Sequence, residues 1–471
     1  MSPYLIIFVT FLVGGLPLIL YSAASIRKIG FGYWLLSPMP IYVFAFHVAF
    51  VLRPILSEWL GIRYPFTTND YDHFFQAQLI SALSTYPFLL GYSLVAARRL
   101  PRSPEERAAL AFAQEPAGIQ TRTIETAALA LSVAMELIYL LFLLRAGAVS
   151  ANLGQNRTIY LDLVIGAGYI PLFNVAGTCL LIIGLSLSVW TRRVETLGRL
   201  ALVMFMFANV VVTNRSVVTS MVVMLLFVYF SRRVRENRRI APAKIAAACA
   251  IGLVIGVSLG QLRGVDDSPA AEAVPMPDAL RPVAFLALTF DMSEMFQETL
   301  NNVDTYHYGS TVFEDIFYTY LPRFAFPNKP TIYGTTRLEV EVAPSLSPES
   351  GSFNATFPIG IYAEGYANFG VPGTFLFLFV TGALLKLFYS NYMGMILDTR
   401  VNYASIYFLL MYVLLCGNSL GYLRGLGQFL SALMFTTLLL GVMAALILMA
   451  SMAVQAASVS LPAKTKGAGT S

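Results

Sequence analysis

The sequence predicts an all-α polytopic membrane protein of about eleven transmembrane helices. Three observations predict it. Of the 471 residues, 57% are hydrophobic and only 12% charged, and mean hydropathy is +0.68. A soluble domain is about a quarter charged, so one core could not hide this much apolar side chain. The apolar runs are continuous rather than alternating, which excludes a transmembrane barrel and leaves helices, whose backbone groups are satisfied within each segment. Finally, charge gathers in the connections between the runs.

Runs long enough to cross a bilayer fall at 3–24, 35–56, 75–97, 123–146, 162–190, 197–213, 215–231, 244–262, 370–390, 403–419 and 425–451. The first lacks a basic leader and continues into further spans, unlike a cleavable signal. The sixth and seventh are short and read as a hairpin about Thr213-Asn214-Arg215-Ser216. Basic residues occupy every second connection: Arg27 and Lys28; Arg98 to Arg107; Arg192 to Arg199; Arg232 to Lys244; Lys386 with Arg400; and the tail lysines Lys464 and Lys466. The positive-inside rule makes these cytoplasmic. The N-terminus is then outside and the C-terminus inside. Were the sixth and seventh spans one helix, the cluster at 232–239 would face out, which favours the hairpin.

Four regions follow: an N-terminal membrane region (1–262, about eight helices), a large outer segment (263–369), C-terminal spans (370–451) and a polar tail (452–471). Only the outer segment has enough polar chain to build something outside a bilayer, and it reads as a lid. Asp291, Glu294 and Glu298 at i, i+3, i+7 predict an amphipathic helix on the membrane surface, its acidic stripe either a plain solvated face or a carboxylate over a substrate cleft. Beyond it come Tyr306, His307, Tyr308, Phe313, Phe317, Tyr318, Tyr320, Phe324, Phe326 and Tyr333. These aromatic rings suit either a membrane-interface belt or sugar stacking.

Arginine is retained on the outer face, at Arg53, Arg157, Arg215, Arg263, Arg323 and Arg424. A forked guanidinium suits phosphate oxygens, which points to an anionic partner. Glu364 and Asn368 stand at i, i+4 before an apolar span, where a carboxylate is costly unless used or paired. Asn69-Asp70-Tyr71-Asp72-His73 could hold a divalent metal, or start a helix with a capped turn. His47 reads as a satisfied core histidine. Cys179, Cys249 and Cys416 lie in apolar runs without metal-type spacing, and read as small buried residues. No phosphate-binding glycine loop is present.

Several of these features together resemble the oligosaccharide repeat-unit polymerases, the Wzy-type O-antigen and capsule polymerase family. They are the Asn214-Arg215-Ser216 turn, Arg263 opening the outer segment, Leu321-Pro322-Arg323 with Pro327-Asn328-Lys329-Pro330, and Ala363-Glu364-Gly365-Tyr366-Ala367-Asn368-Phe369-Gly370 at its end. The resemblance covers roughly Leu197 to Phe388. It implies a GT-C-like, metal-independent membrane glycosyltransferase without cofactor, working outside the bacterial cytoplasmic membrane. Such an enzyme joins oligosaccharide units carried on undecaprenyl diphosphate, with a chain-length regulator and a flippase as candidate partners and no nucleic acid.

Read through that reaction, Arg215, Arg263, Arg323, Arg157 and Arg424 are the diphosphate-binding candidates. Fixed positive charge there would meet the charge that develops on the leaving group. Glu364, Glu294 and His307 are the candidate bases for the acceptor hydroxyl. The alternatives are a ligase moving finished chains off the same carrier, a metal-dependent lipid-sugar transferase using Asp70 and Asp72, and a transporter of lipid-linked sugars.

Overall fold

The structure, a computed structural model, describes residues 2–60, 71–95, 119–150, 170–191, 196–212, 215–236, 292–318, 332–343, 359–396 and 425–431, with shorter stretches as far as 452. Among the described residues every regular element is helical. Among these residues four helices are long and apolar enough to cross a membrane: α1 (Pro3–Ile29), α2 (Met39–Trp59), a span within α4, and most of α11. Between and beyond them run α3 (Tyr71–Leu94), α4 (Ile119–Arg145), α5 (Ile170–Thr191), α6 (Thr196–Val211) and α7 (Arg215–Arg235). The segment 263–369 adds α8 (Met292–Asn302), α9 (Ser310–Tyr318) and α10 (Gly334–Val342), and the chain then enters α11 (Ile361–Ile396). The last helix, α12, is described from 426 to 431. Predicted spans at 244–262 and 403–419, and the linker at 98–122, lie outside the described residues apart from single positions and the first turns of α4.

The predicted hairpin is two helices, α6 and α7, separated by 212–214. The ninth span differs from expectation. Helix begins at Ile361, well before residue 370, and runs on through a break at Phe369 and Gly370, where φ and ψ are non-helical. Gly370 has φ +69° there, a backbone a side chain would strain. Pro372 opens the continuing segment, where a missing N–H costs least.

Apolar side chains divide into two main cores. One gathers α4–α7 against the C-terminal part of α11 through Leu129, Leu180, Phe205, Met224 and Tyr392. The other gathers α1–α3, α8, α10 and α12 on the N-terminal part of α11. α11 therefore serves both. Its crossing with α3 is made by glycine: a Cβ on Gly91 would overlap the Phe379 carbonyl, and one on Gly382 the Phe88 carbonyl. Small residues let two helix backbones approach where lipid supplies no hydrophobic drive. Below that crossing the Lys386 ammonium rests between the Tyr92 and Tyr389 rings, 4.7 and 5.3 Å from their centroids.

α8 corrects the sequence reading. Its residues from Met292 to Thr299 are buried, acids included, so the acidic stripe is no solvated face. The reason is an ion pair: Arg53 of α2, itself buried, places Nη2 2.7 Å from Glu294 Oε1. Ser57 donates to the same oxygen at 3.3 Å. Glu298 accepts from Asn302 at 3.3 Å. With its charges matched internally, α8 packs into the bundle instead of lying on it. His47 is half-buried, its Nδ1 2.7 Å from the Val43 carbonyl, and Cys179 is a buried free thiol.

Candidate functional site

The N-terminal part of α11 is where α8–α10 pack against the long apolar helices. Four elements meet there: α9, α10, α11 before its break, and the first turn of α12. Glu364 is at the centre and fully buried. Its carboxylate accepts from the Leu426 N–H at short distance and from the Gly427 N–H at 3.2 Å. Thr311 Oγ1 of α9 donates to it at 3.4 Å. The first amides of a helix lack intrahelical partners, so a carboxylate satisfies them and is favoured by the helix dipole. Glu364 thus fixes the start of α12 only two residues beyond Arg424.

A second carboxylate lies beside it. Asp315 of α9 accepts from the Thr335 N–H at 3.3 Å and from Thr335 Oγ1 at 2.9 Å. Gln428 Nε2 in turn donates to Thr335 Oγ1 at 2.6 Å, as Asn368 Nδ2 donates to Thr311 Oγ1 at 2.6 Å. Each threonine is a relay from an amide to a carboxylate. Gly427 separates the two acids: a Cβ there would lie 2.8 Å from Asp315 Oδ2 and 3.0 Å from Glu364 Oε1. Burial pushes the Asp315 carboxyl up to about 6; the Thr335 hydrogen bonds oppose this and neighbouring Glu314 adds to it. Gly334 has φ +57° and presses its main chain on Asp315, where no side chain would fit.

The outer rim is built on the α11 break. Asn368 binds the Glu364 carbonyl at 2.8 Å, as expected for an i, i+4 pair, and accepts from the Gly309 N–H at 2.8 Å. The His307 and Tyr308 amides donate to the Ala367 and Asn368 carbonyls at 2.9 and 3.1 Å. Tyr308 takes φ +50°, a strained conformation for a side-chain-bearing residue. These bonds hold His307 half-buried, with Nε2 3.1 Å from Glu341 Oε2 of α10. Close by, Arg337 lies 2.9 Å from Glu314 Oε1 and donates to Ser310 Oγ at 3.1 Å.

The candidate bases are therefore differently placed. Glu364 is enclosed among main-chain amides and Thr311. Glu294 is bound to Arg53. His307 is at the rim. Arg157, Arg263, Arg323 and Arg424 lie outside the described residues, as does Asp70; of Arg215 only the backbone, at the start of α7, is described. Asp72 and His73 sit in the first turn of α3, and among the described residues no His, Cys, Asp and Glu cluster could hold a metal.

Sequence reasoning singled out Glu364, Asn368 and His307 but missed Asp315, Thr311, Thr335, Gln428, Arg337 and Glu341. Asp315 carried a signal: it is an acid on a helix whose other faces are aromatic. The two threonines and Gln428 carried none, being ordinary polar residues far apart in the chain. Comparison with known protein families, curated proteins and solved structures gave no match.

Proposed function

We propose that the chain is an oligosaccharide repeat-unit polymerase of the bacterial cytoplasmic membrane, of eleven GT-C-like spans with α8–α10 outside. The observation that best supports this is the half-buried His307, oriented by Glu341 on the rim of a rigid polar knot. Of the three candidate bases it is the one that reaches the surface, and a base must come within hydrogen-bond reach of its proton.

In this reading Nε2 faces Glu341 and Nδ1 takes the proton from an acceptor sugar hydroxyl. The hydroxyl oxygen attacks the anomeric carbon of the donor chain, and the bond from that carbon to the lipid diphosphate breaks. Negative charge then grows on the diphosphate. Arg215, Arg263 and Arg323, with Arg157 and Arg424, would stabilise it there. Glu364 acts as a positioning residue, because it ties down the start of α12, two residues after Arg424 in the chain. Asp315 keeps Thr335, Gln428 and Gly427 in place behind it.

The test is complementation of a strain deleted for the gene, with surface polysaccharide run on gels and membrane levels of each variant checked. His307→Gln should leave single repeat units, and Glu341→Gln should shorten the chains. Full-length polymer with His307→Gln removes His307 from the mechanism. If deletion itself leaves chain length unchanged, the polymerase reading falls. Finished polymer stranded on the carrier lipid would make the chain a ligase.

A further inference from the structure

α9 is built inside out for a helix in water. A helix on a soluble surface buries its apolar stripe and shows its acids. In α9 Thr311 and Asp315, one turn apart, are buried against Glu364 and Thr335. Phe313 and Phe317, also one turn apart, are 66% and 49% exposed. Their rings stack with centroids 5.7 Å apart and planes 9° apart. Tyr308, just upstream, is 77% exposed.

This aromatic surface continues onto a membrane helix. The Tyr308 ring meets the Phe369 ring at 6.5 Å, and Gly309 lies against Phe369. Phe369, at the break in α11, and Leu376, in the segment beyond it, are both exposed. α11 is one of the four helices among the described residues that are long and apolar enough to cross a membrane, so apolar side chains exposed along it stand towards lipid. Exposed aromatic rings would also suit a glycan. Phe313 and Phe317, however, carry no hydrogen-bonding group, and their polar neighbour Glu314 is committed to Arg337 and the Gly334 amide. A sugar ring needs polar partners at its edge; a bilayer does not.

We propose that α9 is a membrane-interface foot, with Phe313 and Phe317 inserted at the boundary of headgroups and acyl chains and Tyr308 beside them. A large apolar patch on an otherwise polar segment marks such a contact, and an amphipathic helix inserts its apolar face to that depth. Because Asp315 projects from the opposite face of the same helix, the foot sets the height of the carboxylate pair and of His307 above the bilayer. This holds whatever reaction the site performs.

The experiment uses the full chain in proteoliposomes of phosphatidylcholine carrying a photoactivatable acyl chain, with adducts mapped by mass spectrometry. Adducts are expected on 310–318 and on the α11 stretch with Phe369 and Leu376, and not on α10 around Glu341. The double variant Phe313→Ser, Phe317→Ser should lose the first set and keep the second, which shows that it remains folded. An unlabelled 310–318 beside a labelled α11 would overturn the proposal. So would strong hydroxyl-radical oxidation of Phe313 and Phe317 in the same vesicles, since that places the face in water.

Discussion

Replacing Asp315 by asparagine should stabilise the protein at neutral pH and do nothing in acid. Burial raises the Asp315 carboxyl from an ordinary 3.8 to about 6, so the folded state prefers the protonated acid. A shift of this size is worth about 3 kcal/mol. The sign follows from linkage: with a folded value above the unfolded one, stability falls as pH rises between about 4 and 6, and the whole penalty persists above. The neutral amide of the Asp315→Asn variant would carry no such penalty. Its side-chain oxygen still accepts from the Thr335 N–H and Oγ1, and what those bonds give the charged acid is already contained in the net shift. The net expectation for Asp315→Asn is a gain of about 3 kcal/mol at pH 7.5 that vanishes near pH 4. Thermal unfolding in detergent, followed by reaction of buried Cys179 with a thiol dye, reads both. A variant less stable than wild type at pH 7.5, or a difference that ignores pH, would refute the reasoning.

Gly427→Ala should cost about 1–3 kcal/mol in the same assay, because the added methyl meets Asp315, Glu364 and the Val312 backbone within about 3 Å; an unchanged midpoint would mean that the two acids are not packed on this glycine. Arg53→Met alone should lose about 3–5 kcal/mol by leaving Glu294 buried without its counter-charge, while Arg53→Met with Glu294→Leu should recover most of it. Equal losses in the single and double variants would show that the ion pair is not what admits α8 to the core. Glu136 is buried within α4, and among the described residues neither carboxylate oxygen has a hydrogen-bond partner. Glu136→Leu should therefore stabilise by about 1–3 kcal/mol, and a lower unfolding temperature would point instead to a function for that acid.

The helices were legible because continuous apolar runs leave the backbone no other way to satisfy its groups in lipid. Even so, the N-terminal limit of α11 was misplaced. The stretch 361–368 is polar enough to read as loop, yet it is helical because Tyr362, Ala363 and Ala367 are buried in the core shared with α2 and α8. α8 was read as solvated for a related reason. Periodicity gives the faces of a helix and not what stands opposite them, and Arg53 is some two hundred and forty positions away in the chain. The exposed Phe pair of α9 shows the same limit reversed. Its i, i+4 spacing was visible, but which stripe faces inward depends on Thr335 and Glu364, which only the fold brings beside it.

The polar groups gathered around α11 fall into two kinds, and the difference bears on which of them can do chemistry. Glu364, Glu294 and Asp315 are bound by donors of the protein itself: main-chain amides, an arginine and two threonine relays. Such groups are held for position, since their hydrogen bonds and ion pair join separate helices. His307 with Glu341 and Arg337 with Glu314 sit on the rim. Each of those pairs is partly exposed, and each is fixed by the main chain of α11 or by α9 and α10. A rigid inner set beneath a reactive outer set is the arrangement a preorganised site requires. The strained backbone at Tyr308 and the break at Phe369 and Gly370 are where the two sets join. The buried carboxylates therefore belong to the framework, and the rim is where substrate contacts should be sought.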